Sequence, residues 1–160
     1  MTRVVDVDDD GVRIPLTRRR VAAIARAVLR AEAVDDARLS ITFVGNRRIA
    51  ALNRRHLRHR GPTDVISFRL APETPRGPLI GDIYVAPDVA RRNAAAHGSS
   101  LREELTRLVV HGVLHVLGFD HPDGRERIAS RMWRRQEELV ASLQRFHSRS
   151  RRQRSARSAA

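Results

Sequence analysis

The sequence predicts an α+β fold: a small mixed β-sheet packed with about five α-helices in a single domain. Two kinds of periodicity and their order point to it. Leu39, Ile41 and Phe43 alternate in the manner of a strand, and apolar runs at 65–70 and 79–85 are bounded by Gly, Pro and Asp. Apolar residues three and four apart mark helices between and after them. The order is strand, helix, strand, helix, two consecutive strands, then helices, which suits a sheet carrying packed helices. At 160 residues the chain is long enough for one real core.

Taken in order, residues 3–7 alternate weakly, as in an edge strand. Thr17 is placed to cap a helix to about residue 33, with Val21, Ile24, Ala25 and Val28 on its buried face. The strand at 39–43 ends at Gly45, and Asn46 is expected to cap a second helix to about residue 58. Gly61-Pro62 breaks the chain. Strands at 65–70 and 79–85 flank a Pro/Gly loop. Pro87 starts a helix to about residue 97. Ser99 or Ser100 caps the next helix, and Ser100 with Glu103 has the spacing of a capping box. A final helix is expected from 122 to about 146. The domain is thus assigned to 1–146, and the Ser/Arg/Ala-rich residues 147–160 read as a disordered basic tail.

Composition narrows the class. There is no cysteine, hence no disulfide and no thiolate metal site. The N-terminal stretch is acidic rather than apolar, unlike a signal peptide, and no apolar run approaches the ~18 residues of a membrane span. A cytoplasmic protein is expected. Net charge is +13, and all 31 basic residues are arginine. Arginine in place of lysine fits a GC-rich genome, but 31 bases against 18 acids point to a polyanionic partner, with RNA the first candidate. On a helix, Arg47, Arg54 and Arg58 form a stripe suited to tracking phosphates. Aromatic residues are only 4% of the chain, so base stacking has little to work with and binding should be mainly electrostatic.

The most specific signal is residues 111–121, His-Gly-Val-Leu-His-Val-Leu-Gly-Phe-Asp-His. His111 and His115 share one helix face. Gly118 supplies the left-handed turn that ends a helix, with Phe119 folding back towards Leu114. The reversed chain brings His121 towards the same point. Three protein nitrogens plus water is the make-up of an open, catalytic zinc site. Imidazoles serve zinc, copper, iron and nickel alike; zinc is the expected ion, one per chain. The zincin motif has the same histidine pair with a glutamate base directly after the first; here that place is Gly112. A carboxylate would have to come from Glu104, Asp120 or Asp123. Asp64 and Asp82, each read as opening a strand after a turn, are more simply local hydrogen-bond acceptors than a second metal site.

This segment resembles the signature of the YbeY family of bacterial rRNA maturation factors, His-Gly-x-Leu-His-Leu-x-Gly-Tyr-Asp-His. Leu52-Asn53, the run Pro62-Thr63-Asp64-Val65-Ile66-Ser67-Phe68 and Gly81-Asp82-Ile83 match further family segments in order and spacing. The resemblance implies a metal-dependent, single-strand-specific endoribonuclease acting on the 16S rRNA precursor, in 3′-end maturation and ribosome quality control at the small ribosomal subunit. It places the metal ligands on His111, His115 and His121. The family usually carries an arginine four residues after the asparagine of Leu-Asn. Here Leu57 stands there and Arg58 follows, so Arg58 is the candidate for RNA binding and for offsetting phosphate charge. Two other functions share the site: a metalloprotease or other metallohydrolase, which wants a carboxylate base, and a non-enzymatic ribosome assembly factor whose structural zinc wants a fourth protein ligand.

Overall fold

The computed structural model describes residues 2–57, 61–122 and 124–158. Contacts divide the chain into two compact units, Met1–Asp120 and His121–Ala160. The first unit holds a four-stranded mixed sheet and four of the five helices. Its strands are β1 (Arg3–Asp8), β2 (Ala37–Phe43), β3 (Val65–Leu70) and β4 (Leu79–Val85), ordered β1-β2-β4-β3 across the sheet. β1, β2 and β4 run parallel, and β3 is the antiparallel edge beside β4. The expected α+β class is the observed one.

Alternation decides which face each strand buries. Ala37, Leu39, Ile41 and Phe43 of β2 and Gly81, Ile83 and Val85 of β4 are buried on one face. α1 (Arg18–Ala31) and α4 (Leu101–Val116) supply the matching apolar stripes: Val21, Ile24, Val28 and Leu29 from α1; Leu105, Leu108, Val109, Val113 and Leu114 from α4. A smaller cluster joins Val44, Ile49, Ile66 and Ala86, with Leu52, Phe68, Tyr84 and Val89 packed against it.

The capping residues explain several boundaries. Thr17 accepts the Arg20 N–H at 3.0 Å to open α1. Ser100, rather than Ser99, caps α4, and the capping box with Glu103 is complete. α3 (Pro87–His97) opens with proline at its first position. α1 ends two residues earlier than expected. Val34 N–H bonds back to Leu29 and Ala33 N–H to Arg30, with Ala33 in the left-handed region at φ 56°.

Three expectations are corrected. Asn46 is not a cap: Gly45 holds that place, and α2 (Asn46–Leu52) gives way to a π-helical turn over Asn53–Leu57 instead of continuing as one α-helix. Asp82 does not open a strand; it is the fourth residue of β4. In the second unit a 3-10 turn (Gly124–Arg127) precedes α5 (Arg131–Ser158), so the last helix starts later and extends further than predicted, through residues expected to lack structure. Its start is set by Ser130, whose hydroxyl accepts the Trp133 N–H at 3.1 Å. Met132, Gln136, Leu139 and Val140 form its buried stripe.

Candidate metal centre

α4 reaches the sheet unusually closely because glycines stand at the contacts. A Cβ on Gly112 would lie 2.7 Å from Ile83 Cγ2 and 3.2 Å from Ser67 Oγ. A Cβ on Gly81 would lie 2.8 Å from Val116 Cγ2, with Cγ1 nearer still. Ser67 of β3 donates its hydroxyl to the Gly112 carbonyl at 3.2 Å. With Gly112 and Val116 turned to the sheet, His111 and His115, each one residue earlier, sit about 100° round the helix. His111 is 5% exposed and His115 half-buried. Their rings meet edge to face with centroids 4.6 Å apart.

The helix ends in a Schellman turn. Gly118 has φ 101°, its N–H bonds the His115 carbonyl, and Phe119 N–H bonds the Leu114 carbonyl, both at 3.0 Å. The chain reverses as the sequence predicts. One ligand atom from each of His111, His115 and His121 lies within 4.8 Å of the others. His121 Nδ1 is 3.0 Å from the Pro122 carbonyl oxygen, which can only accept. A proton on Nδ1 satisfies that contact, and Nε2 would then be the atom to meet a metal, the usual way a neighbouring acceptor orients a metal-binding histidine. Three such imidazoles, one of them buried, fit a single divalent ion, and the group could hold one.

Among the described residues the candidate carboxylates are not part of this group. Glu104, 7% exposed, pairs with Arg107 at 3.6 Å, one turn along α4. Burial pushes its carboxyl above the ordinary value and nearby Asp64 adds to the rise, while Arg107 pulls it back. Asp64 accepts a hydrogen bond from Asn93 at 3.3 Å, in keeping with a local structural role. Asp120 is exposed, and the metal-competent group among the described residues contains no carboxylate. Asp123 and Arg58 lie outside the described residues. Of the arginines proposed to track phosphates, Arg47 and Arg54 are exposed, the first on α2 and the second on the π-helical turn.

Arg69 escaped the sequence reading, and Ser67 entered it only as part of the run from Pro62 to Phe68. Ser67 and Arg69 share the β3 face laid along α4, and Arg69 Nη1 stands 3.7 Å from where a Cβ of Gly118 would be. Strand alternation from Val65 puts both on one side, but only the sheet order shows that α4 runs there.

A family model for Endoribonuclease YbeY matches residues 6–144. The chain belongs to that family. A relative described as Endoribonuclease YbeY in an Anaeromyxobacter species is 43% identical over 122 residues, covering 76% of this chain and 62% of the relative. Another of the same description in Geobacillus kaustophilus is 37% identical over 154 residues, covering 88% and 96%. The chain thus spans less than two thirds of the first relative's length and nearly all of the second's. The solution structure of a Thermotoga maritima protein shares the fold at TM-score 0.58 and 24% identity, covering 91% of this chain and 93% of that one.

Proposed function

We propose that the chain is a metal-dependent endoribonuclease that hydrolyses single-stranded RNA, in 16S rRNA 3′-end maturation and ribosome quality control. The observation that carries the reading is the convergence of His111, His115 and His121 in a member of the YbeY family. The charge of +13 suits a polyanionic substrate. His111, His115 and His121 would hold one divalent ion, with zinc expected; when bound, such an ion polarises a phosphodiester and lowers the pKa of water. The protein's part is to fix the imidazoles, through the Ser100 cap at one end of α4, the Schellman turn at the other and the Pro122 carbonyl on His121. Arg58 is proposed as an RNA-binding residue, 147–160 as a basic extension that adds phosphate contacts, and the cytoplasm as the compartment. Among the described residues no helix is long and apolar enough to cross a membrane.

The protease alternative is disfavoured sterically. A zincin glutamate would stand at position 112, where even a Cβ meets Ile83 at 2.7 Å. The structural-zinc alternative wants a fourth protein ligand, from Asp120 or Asp123; Asp120 is not in the cluster, and Asp123 lies outside the described residues. Incubating metal-loaded protein with single-stranded and duplex RNA of one sequence tests the proposal. Selective internal cleavage of the single strand, abolished by a chelator and restored by one metal, is expected; intact RNA after metal loading would refute it.

A further inference from the structure

From the placement of Arg69 at the C-terminal turn of α4, we infer that its guanidinium binds a phosphate of the RNA strand beside the three-histidine cluster. This rests on the endoribonuclease reading above. β3 lies along α4 on the side of Ser67 and Arg69. Ser67 is tied to the Gly112 carbonyl, one residue after His111. Two residues further along the strand, about 6.6–6.8 Å, Arg69 reaches Gly118, whose N–H bonds the carbonyl of His115. The strand therefore tracks the helix from the first histidine of the motif to the turn after the second.

Arg69 is exposed, and among the described residues it has neither a carboxylate partner nor a hydrogen bond. A guanidinium beside a site built for a divalent cation is repelled when that cation binds, unless an anion lies between them. A phosphodiester supplies one, and a guanidinium can grip its non-bridging oxygens in bidentate fashion. A purely structural role is the competing explanation, since a cation at the end of a helix favours the negative end of its dipole. That role predicts a loss of helix stability on removal and no change in RNA binding.

The two are separable with Arg69→Ala and Arg69→Lys in the full chain. Binding of a short oligouridine to metal-free protein is followed by anisotropy across a salt series. Arg69→Ala should lower the slope of log affinity against log salt by about 0.7, the share of one phosphate contact on a single strand. Arg69→Lys should restore the slope. With metal loaded, single-turnover cleavage at saturating RNA should fall about 10²-fold or more in Arg69→Ala. The lysine variant should recover it only in part, because a point charge replaces the fork. Metal content and melting temperature should match the wild type in both. An unchanged salt slope in Arg69→Ala overturns the inference, as does a lowered melting temperature with normal RNA binding. A wild type that cleaves RNA with no dependence on Arg69 removes this contact and leaves the endoribonuclease reading standing. Protein that binds RNA through Arg69 yet never cuts it supports the contact and removes that reading.

Discussion

Replacing Gly81 by alanine should disturb the candidate metal centre from the far side of α4. The added methyl would sit 2.8 Å from Val116 Cγ2, closer to Cγ1, and 3.2 Å from the Phe68 carbonyl oxygen. Carbon atoms in contact prefer about 3.5–4.0 Å, so the helix end must lift by on the order of 1 Å. Val116 cannot turn away, because a β-branched side chain on a helix has essentially one rotamer and this one is 1% exposed. Overpacking of this kind costs about 1–3 kcal/mol, and alanine in a strand returns about 0.5–1 kcal/mol relative to glycine. The net loss should be about 0–2.5 kcal/mol, a fall in melting temperature of up to roughly 10 °C for a domain of this size. The larger effect should be on function, since His115 is the residue before Val116. A displacement near 1 Å can lower a rate by about 10²-fold. Thermal unfolding and single-turnover cleavage of Gly81→Ala measure both, and Gly81→Ala/Val116→Ala supplies the control, because the smaller residue makes room for the new methyl. The double variant should be more stable than the sum of the single effects, by on the order of 1 kcal/mol. If Gly81→Ala keeps wild-type stability and cleavage, α4 is not held where these contacts place it.

Other perturbations probe separate parts. His115→Ala should lose most bound metal in elemental analysis while the circular dichroism spectrum persists; full occupancy would reject the ligand set. Ala33→Gly should stabilise by about 0.5–1 kcal/mol in chemical denaturation, because the left-handed backbone at φ 56° strains an alanine, an effect partly offset by a freer unfolded chain. Glu104 is held above its ordinary pKa, so between the unfolded and the folded pKa the native state binds more protons than the unfolded one. Its contribution to stability is complete below the unfolded value and declines as pH rises through the folded one. Glu104→Gln should flatten that part of the stability–pH curve, and an unchanged slope would reject burial as the cause. Deleting 146–160 removes five arginines and takes the charge from +13 to +8. RNA binding should weaken with a shallower salt dependence and cleavage at saturating RNA should persist; a truncated protein that binds normally but cannot cut would place the tail at the active site.

Local signals were the legible part. β3, β4 and α3 begin and end where the residue pattern puts them, and the Thr17 cap, the Ser100–Glu103 box and the Gly118 turn are all present. What escaped depends on partners distant in sequence or on hydrogen-bond choices that periodicity does not encode. The π-helical turn at Asn53–Leu57 has residues of ordinary helical character, and buried Asn53 is tied by its amide to the Gly61 carbonyl at 3.0 Å. The start of α5 was misplaced because Pro122 is a familiar opening signal, whereas Ser130 does the capping. Gly81 read as a turn before a strand opening at Asp82, and Gly112 as a missing base; their tight approach to Val116 and Ile83 appears only once helix and sheet are docked. Arg69 gains meaning the same way.

The eleven-residue span of the three histidines sets when each part of the centre can exist during folding. Closing a loop of that size takes little chain entropy, and the Schellman turn needs only neighbours in sequence. Ligand convergence is therefore a local event, within reach as soon as α4 forms. Arg69 is a different matter: it reaches Gly118 only after β3 has paired with β4, and β4 aligns parallel to β2 across a separation of about forty residues. Parallel pairings across long stretches form late. The two features thus depend on different parts of the chain: the histidines are joined by neighbours in sequence, while Arg69 meets the end of α4 only in a chain whose sheet is already complete.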